Sequence, residues 1–412
     1  MNDAMSLSDY EWQETEIYPR VPASWVKKNL GALGTFKNGL NFNSAAFGKG
    51  IPIINVTHLH RGKYASIDSL DELKNEAVKK VGEYSLKAGD ILFARSSVKL
   101  EGTGQVAMVK NLPSAKTCFS GFIIRLRIEG ERVNAEFLNY LLRSNQYRDF
   151  FVSIATGTSI FNLTQEILSS VLVYLPRISE QRAIAAVLKS LDDKIDLLHR
   201  QNQTLEAMAA TLFRQWFVEE AREGWEERPL SRIANFLNGL ACQKHPPKSE
   251  LEKLPVLKIK ELSGGVSESS DWASSEIKPE YIVEAGDVIF AWSASLMVKV
   301  WDGERCVLNQ HLFKVTSTEF PKWFYLMWCK HHLAEFISIS SSHATTMGHI
   351  KRGDLDAAIV SVPPEKELKA MSEQMAPLLD KQISISKQIR ILEKLRDTLL
   401  PKLMSGEVRV AA

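Results

Sequence analysis

The stretch AGDILFARSS at residues 88–97 returns in altered form as AGDVIFAWSAS at residues 285–295. Ala-Gly-Asp before an apolar run predicts a tight turn, with Gly89 or Gly286 supplying backbone freedom, and then a buried strand. The residues that follow each strand are predicted to lie on a loop, where recognition residues are often carried. The replacement of Arg95 by Trp292 therefore indicates one shared frame that presents two different surfaces.

Further segments of the chain repeat in the same order. Residues 51–59 correspond to 254–262, and residues 156–176 correspond to 342–363. A repeat spaced by 187 to 200 residues is too long for a solenoid and predicts a duplicated domain. Short β-rich runs and helical periodicity alternate within each copy, so we expect an α+β fold. The earliest matching residues, all 200 positions apart, are Trp25, Leu30, Phe36, Asn38, Gly39 and Leu40 with Trp225, Leu230, Phe236, Asn238, Gly239 and Leu240.

Each copy is followed by a long segment in which mostly apolar residues recur at alternating spacings of four and three. This heptad pattern places them along one side of a helix, called the seam below. We expect two long helices that pair antiparallel as a coiled coil, although each could instead pack on its own domain. Gln382 and Arg396 interrupt the second seam with polar side chains. The packing residues predicted are Ile184, Leu188, Leu191, Ile195, Leu198, Asn202, Leu205 and Leu212 in the first helix, and Met371, Met375, Leu378, Ile385, Ile389, Leu392 and Leu399 in the second.

The repeats and seams divide the chain into five parts. An acidic segment at 1–20 precedes the first domain at 21–178 and its helix at 179–222. The second domain follows at 223–364, with its helix at 365–412.

Composition is that of a globular protein, with 45% hydrophobic and 24% charged residues. No apolar run approaches the roughly 20 residues that span a bilayer, and the acidic N-terminus lacks the apolar core of a signal peptide. We therefore expect a cytoplasmic protein without a membrane partner. The four cysteines are widely separated, which predicts reduced, buried thiols rather than disulfides or a zinc finger.

Charge is distributed unequally between the two domains. Residues 21–178 carry 20 Lys and Arg against 12 Asp and Glu, a net charge of +8. Residues 225–365 carry 15 against 18, a net charge of −3, together with six histidines. The first domain is thus suited to a polyanion, since phosphate contacts dominate nucleic-acid binding, whereas charge alone does not favour the second.

Two loops of each domain carry side chains that can hydrogen-bond bases or phosphates. One follows the Ala-Gly-Asp strand, and the other is TGTSIFNLT at 156–164 or its counterpart SHATTMGHIKR at 342–352. The alternative is that these are ordinary solvated loops. The candidate DNA contacts are Lys37, Asn41, Arg95, Ser96, Ser97, Lys99, Gly157, Thr158, Ser159 and Asn162 in the first domain, and Trp292, Ser293, Ser295, Lys299, Thr345, Thr346, His349, Lys351 and Arg352 in the second.

Motifs of catalysis are not found in the sequence. Neither Gly-Lys pair, at Gly48-Lys49 or Gly62-Lys63, is followed by Ser or Thr, so no phosphate-binding P-loop is predicted. The histidines lack the spacing of an HExxH metal site. We predict no catalytic residues and no metal ligands in this chain.

With these motifs in hand, the chain resembles the specificity (S) subunit of a type I restriction–modification enzyme along essentially its whole length. The resemblance is carried by W-x4-L-x5-F-x-N-G-L at the start of each half, AGD(I/V)(L/I)FA, the threonine-rich loop, and EQRAIAAVL-x-SLDDKIDLL, which leads into the first long helix. The last of these is the most specific.

The resemblance implies two target-recognition domains, each reading one half of a bipartite site in double-stranded DNA, with the helix pair fixing the gap between half-sites. It implies no catalysis by this chain and no cofactor bound to it. Two methyltransferase (modification) subunits with S-adenosylmethionine would methylate adenine N6, and motor-nuclease (restriction) subunits would use ATP and Mg. Because the loops of one domain differ from those of the other, the target should be asymmetric. A coiled-coil scaffold with two protein-binding heads is the alternative, and a subunit that serves methylation alone is a variant of the first reading.

Overall fold

The computed structural model describes residues 12–60, 62–157, 161–220, 224–342 and 348–410. It forms two compact units, Met1–Asp193 with Glu393–Ala412 and Lys194–Leu392. Both units combine antiparallel sheets with helices, as the α+β prediction requires.

The first unit is built around a four-stranded antiparallel sheet of β1 (Gly34–Asn38), β2 (Ile91–Ala94), β3 (Val106–Met108) and β4 (Ile123–Ile128), in the spatial order β1-β4-β2-β3. The helix Ala135–Arg143 packs on β3. Its other strands are Trp12–Gln13, Val21–Pro22, Val26–Asn29, Gly50–Ile54, Asp71–Lys74, Ser96–Ser97, Cys118–Phe119, Phe161–Asn162 and Leu172–Leu175, and its other short helices are Val81–Tyr84, Asn145–Ile154 and Gln165–Ser170.

The second unit repeats this sheet with β5 (Asn235–Asn238), β6 (Val288–Ala291), β7 (Met297–Val300) and β8 (Leu312–Thr316), in the order β5-β8-β6-β7. The identical order confirms the duplication that the sequence repeat predicted. Its other strands are Glu226–Pro229, Lys253–Leu257, Trp272–Ser274, Ile282–Val283, Cys306–Leu308 and Ile359–Val362, and its short helices are Leu230–Ile233, Ile259–Gly264, Lys322–His331, Leu333–Ser342 and Arg352–Ala357.

The Ala-Gly-Asp turn has the same construction in both units. Gly89 and Gly286 have φ values of +90° and +106°, a left-handed conformation that favours glycine. In the first unit the buried Asp90 carboxylate accepts a hydrogen bond of 2.8 Å from the Lys87 amide. It also accepts two, at 2.8 and 2.7 Å, from the guanidinium of Arg127 on β4. The tight turn and buried strand expected from the motif are confirmed.

In the second copy of the turn, a lysine pairs with the aspartate. Asp287 accepts a 2.8 Å hydrogen bond from the Glu284 amide and forms a 2.8 Å ion pair with Lys314 on β8. Lys314 is paired with Ile289 as Arg125 is paired with Leu92, so the lysine stands at the position of Arg125, two residues before that of Arg127 on the strand.

Two long helices, α1 (Ile178–Arg214) and α2 (Glu365–Met404), follow the two sheets. A π-helical turn, Gln215–Glu219, continues α1. Within the second unit, Ile195 and Leu198 of α1 form a buried cluster with Ile385 and Ile389 of α2, flanked by Leu205 and Leu392. The cluster shows that the seams pack on each other in their central part.

The ends of the seams pack on the sheet domains instead. Ile184 and Leu188 belong to the core of the first unit, with Leu399 against it, and Leu191 is half-buried. Met375 belongs to the core of the second unit, against which Leu212, Met371 and Leu378 pack. Both packing modes considered from the sequence therefore occur, each in a different part of the helices.

Polar residues within the seams find partners on the opposite helix. The Asn202 side-chain amide donates a 2.9 Å hydrogen bond to the Ser386 hydroxyl in the second unit. Because Asn202 lies opposite Ser386 while Phe213 lies in one core cluster with Met375, the helices run antiparallel in this unit. A polar pair between two packed helices, here half-buried, helps to fix helix register.

Arg396, the second polar interruption of the α2 seam, pairs with Asp192 of α1 in the first unit at 3.1 Å. Asp192 also accepts hydrogen bonds from Lys63 at 2.8 Å and from Tyr140 at 2.5 Å. Burial raises the pKa of Asp192, but the hydrogen bonds from Lys63, Tyr140 and Arg396 and the charge of Lys63 together outweigh it, so that its pKa lies below the usual value. The carboxylate is therefore held ionised between the two helices.

All four cysteines are buried and unpaired. In the part of the chain that the structure describes, no helix is long and apolar enough to cross a bilayer.

We predict that Ile385→Ala destabilises the protein by about 2–5 kcal/mol, because Ile385 is 1% exposed and its truncation leaves a cavity between the helices. Urea unfolding followed by circular dichroism measures the change. Ile391→Ala, on the same helix but 66% exposed, should alter the free energy of unfolding by less than about 0.5 kcal/mol. Equal effects of the two substitutions would contradict the assignment of the seam.

Candidate nucleic-acid interface

The central sheet of the first unit brings Arg95 and Phe122 side by side. Ile123 of β4 is paired with Ala94 of β2, so the next residues outward stand opposite each other where the two strands end. The Arg95 amide donates a 2.8 Å hydrogen bond to the Phe122 carbonyl oxygen. The Arg95 guanidinium donates one of 3.3 Å to the carbonyl oxygen of Gly121.

The two loops proposed from the sequence meet at this edge. Ser96–Ser97 pairs antiparallel with Phe161–Asn162, and the Ser96 hydroxyl donates a 2.5 Å hydrogen bond to the Asn162 side-chain oxygen. Asn41 lies against Gly121, where a Cβ would approach its Oδ1 to 2.0 Å. We call Asn41, Arg95, Ser96, Phe122 and Asn162 edge surface 1.

The other candidates of the first unit have different surroundings. Lys37 forms a 2.9 Å ion pair with Glu83 and lies over the Tyr84 ring. The Ser97 hydroxyl accepts a 3.1 Å hydrogen bond from the amide of the exposed Lys99. Gly157 is exposed just before the described residues break off, and Thr158 and Ser159 lie outside them.

The second unit joins its two loops in the same way. The Ile350 amide donates a 3.1 Å hydrogen bond to the Trp292 carbonyl oxygen, and the Ala294 amide donates one of 2.8 Å to Gly348. Ser293 and His349 form a β-bridge between the loops. Thr345 and Thr346 lie outside the described residues.

Aromatic rings dominate the second surface. The Trp292 ring stacks on Phe313, with centroids 5.6 Å apart, and lies 6.1 Å from His311 and 6.3 Å from His349. Its indole N–H donates a 3.1 Å hydrogen bond to the Asn238 side chain. The hydroxyl of Ser293 lies 3.1 Å from Nδ1 of His311. We call Asn238, Trp292, Ser293, His311 and His349 edge surface 2.

The structure corrects the prediction that Lys299 lies on a loop. Lys299 belongs to β7, where it pairs with Ile289, and its ammonium donates to the carbonyl oxygens of Leu262 and Ser263 at 3.3 and 3.4 Å. After β6 the chain turns back and forms a hairpin with β7, because alternating apolar residues of β7 pack on the sheet. The Lys299 ammonium is therefore held at the end of the helix Ile259–Gly264.

The remaining candidates of the second unit lie beside edge surface 2 in the sequence. Ser295 is exposed next to the turn at Ala294. Lys351 and Arg352 are exposed and begin the helix Arg352–Ala357, where the Lys351 amide donates a 2.6 Å hydrogen bond to Asp354.

Phe122 and His311 were missed as candidates because both lie within runs interpreted as buried strands. A signal was available, because SGFIIRL at 120–126 aligns with NQHLFKV at 309–315 and places the two residues at equivalent positions. Arg95 and Phe122 in the first unit correspond to Trp292 and His311 in the second.

Among the described residues, no group of three or more His, Cys, Asp or Glu side chains is placed to hold a metal ion. The arrangement of both surfaces offers hydrogen-bond donors and acceptors beside an aromatic ring, which is the chemistry of nucleobase contacts.

Known proteins are similar to this chain over both of its halves. A family model described as type I restriction modification DNA specificity domain matches residues 22–207 and again residues 222–394. The type I restriction enzyme MjaIX specificity subunit of Methanocaldococcus jannaschii is 27% identical over 428 aligned residues, which cover 97% of each chain. The HindI specificity subunit of Haemophilus influenzae is 21% identical over 474 aligned residues, covering 94% of this chain and 100% of the relative.

The fold is also that of a solved relative. The crystal structure of the S subunit of a type I restriction–modification system from M. genitalium matches with a TM-score of 0.60 and 15% identity, over 95% of this chain and 98% of that one. Since the family model covers most of both halves, the chain belongs to the type I restriction modification DNA specificity domain family, as its sequence motifs had indicated.

Proposed function

We propose that this chain is the DNA-recognition subunit of a type I restriction–modification complex, in which each edge surface reads one half of an asymmetric bipartite site. The observation that carries the proposal is the duplication of one sheet edge with different side chains at equivalent positions. Arg95 and Asn162 belong to the side-chain types that read guanine and adenine in the major groove, whereas edge surface 2 presents an indole and two imidazoles. Unlike surfaces imply unlike half-sites.

The charges of the two units support unequal contacts with the phosphate backbone. The net charge of +8 over residues 21–178 favours phosphate binding by the first unit. In the second unit the exposed Lys351 and Arg352, directly after the His349 loop, provide cations beside edge surface 2 despite the net negative charge. We propose that these two side chains contact phosphates.

We further propose that two methyltransferase subunits dock on the long helices. Met208 of α1 is 49% exposed and Leu395 of α2 is 44% exposed. The two residues lie 187 positions apart, the offset that relates the two halves, so they occupy equivalent places on the two helices. Two equivalent apolar positions suit two copies of one partner.

The remaining chemistry is assigned to the partners in this proposal. The chain itself is non-catalytic, and α1 and α2 set the spacing between half-sites. S-adenosylmethionine is bound by the methyltransferase subunits, whereas ATP and Mg are bound by motor-nuclease subunits. The complex works in the cytoplasm, where its DNA substrate lies.

We predict that Arg95→Ala relaxes specificity at one position of one half-site, with a cost of about 1–3 kcal/mol in discrimination, because a bidentate base contact is lost. Genome-wide mapping of N6-methyladenine in cells with the wild-type or variant gene measures it. Lys27→Ala removes an exposed cation on the separate strand Val26–Asn29 and should leave the motif unchanged.

Two results would contradict the recognition role. One is an unchanged motif in the Arg95 variant together with an unchanged motif after Trp292→Ala. The other is a methylome that does not respond to deletion of the gene, which would favour the scaffold with two protein-binding heads.

The docking proposal predicts that Met208→Asp and Leu395→Asp each lower the number of bound methyltransferase subunits from two to one, and that the double variant binds none. A carboxylate buried in an apolar interface without a partner is strongly unfavourable. Native mass spectrometry of the reconstituted complex counts the subunits. Gln203→Asp adds the same charge at another exposed position of α1 and should retain both subunits. If the double variant also retains both, the helices dock their partners elsewhere.

A further inference from the structure

We propose that the Phe122 ring inserts between bases of the half-site that edge surface 1 reads, stacking on them and kinking the duplex there. This inference rests on the proposed function, because it requires that edge surface 1 faces DNA. It adds a specific insertion residue and a deformation confined to one half-site.

The turn between Ser120 and Ile123 exposes a large apolar ring on a fixed backbone. Phe122 is 63% exposed. Its carbonyl oxygen accepts the 2.8 Å hydrogen bond from the Arg95 amide, and the turn beneath it is closed by a 2.9 Å hydrogen bond from the Ile123 amide to Ser120. The Gly121 amide donates to the Leu40 carbonyl oxygen at 2.7 Å. The ring is thus presented by a turn that is hydrogen-bonded on both sides, and little conformational entropy is lost when it is bound.

The turn that carries Phe122 has polar neighbours. The Arg95 guanidinium donates to the carbonyl oxygen of Gly121, Asn41 lies against Gly121, and the Ser96 hydroxyl donates to Asn162. A protein partner that buried Phe122 would have to desolvate these polar groups as well. A nucleobase offers a π face to the ring and hydrogen-bonding edges to Arg95 and the other polar groups.

The equivalent position of the second unit lacks this feature. His311 is half-buried, with Nδ1 at 3.1 Å from the Ser293 hydroxyl, and the adjacent Trp292 ring stacks on Phe313. Neither ring stands free of the surface as Phe122 does. Insertion is therefore assigned to the first half-site alone.

Insertion also fits the chemistry that the complex is proposed to carry out. An apolar wedge between base steps partly unstacks them and bends the duplex. Base methylation requires that the target nucleotide leaves the stack, at a cost in stacking energy. Phe122 would lower that cost in the half-site where it inserts.

Fluorescence of 2-aminopurine tests the proposal. The complex with its methyltransferase subunits is mixed with duplexes that carry the motif found by methylation mapping, with the probe at successive positions other than the target adenines. We expect wild-type protein to raise the fluorescence at one step of one half-site. Phe122→Ala should abolish this rise and weaken binding roughly 5- to 150-fold, whereas Phe122→Trp should preserve both.

Trp272→Ala provides the control, because Trp272 is an aromatic residue of the second unit, 41% exposed, that belongs to neither edge surface. It should change neither the fluorescence nor the affinity. The insertion is overturned if the wild-type complex binds but no non-target position brightens, or if the rise persists in Phe122→Ala. If the wild-type complex shows no preference for the duplex over unrelated DNA, the proposed function itself fails, and the inference fails with it.

Discussion

The buried ion pair between the Ala-Gly-Asp turn and the neighbouring strand is the constraint on which the interface depends. Asp90 is fixed by Arg127 at one end of the β2–β4 pair, and Arg95 and Phe122 meet at the other end. A slip of one residue would turn every side chain of the strand to the opposite face. In the second unit Asp287 pairs with Lys314 of β8, and the strand pairing brings Trp292 and His311 together in the same register. The stretch is repeated because both edges need this register.

The long helices were the part of the fold most readily predicted from sequence, because a heptad pattern is local and is maintained over many turns. What the pattern could not predict is the partner of each polar interruption. Arg396 pairs with Asp192, more than 200 positions away, and the hydroxyl of Tyr140 in the sheet domain donates a hydrogen bond to the same carboxylate. At the equivalent positions of the second unit stand the apolar Ala209, Leu379 and Met327, all in its core. Such pairings follow from tertiary packing, which a periodicity does not contain.

Only part of the candidate interface could be predicted from the sequence, because the rest depends on contacts between distant parts of the chain. The loops at Arg95 and Asn162 were expected to carry contacts because they are polar and repeat in both halves, and the structure joins them at one edge. Phe122 and His311 were missed because an apolar or aromatic residue beside a strand is usually buried. The exposure of Phe122 depends on the turn at Gly121, which is fixed by hydrogen bonds to Leu40 and Arg95, both distant in the sequence. Lys299 shows the converse. It was expected on a loop, but it lies on β7, and its ammonium is held by backbone carbonyl oxygens.

Two sheet edges with the same strand register carry different residues, Arg95 and Phe122 in the first unit and Trp292 and His311 in the second. In each unit a backbone hydrogen bond joins the two residues across the edge. In the first unit Arg95 directly follows β2, and the aromatic ring of Phe122, on the turn opposite, is exposed. In the second unit the Trp292 indole stacks on Phe313 and the His311 ring lies 6.1 Å from it. Because one edge projects an exposed ring and the other holds its rings against the surface, the two halves of the proposed DNA reader would differ in how they deform DNA as well as in what they read.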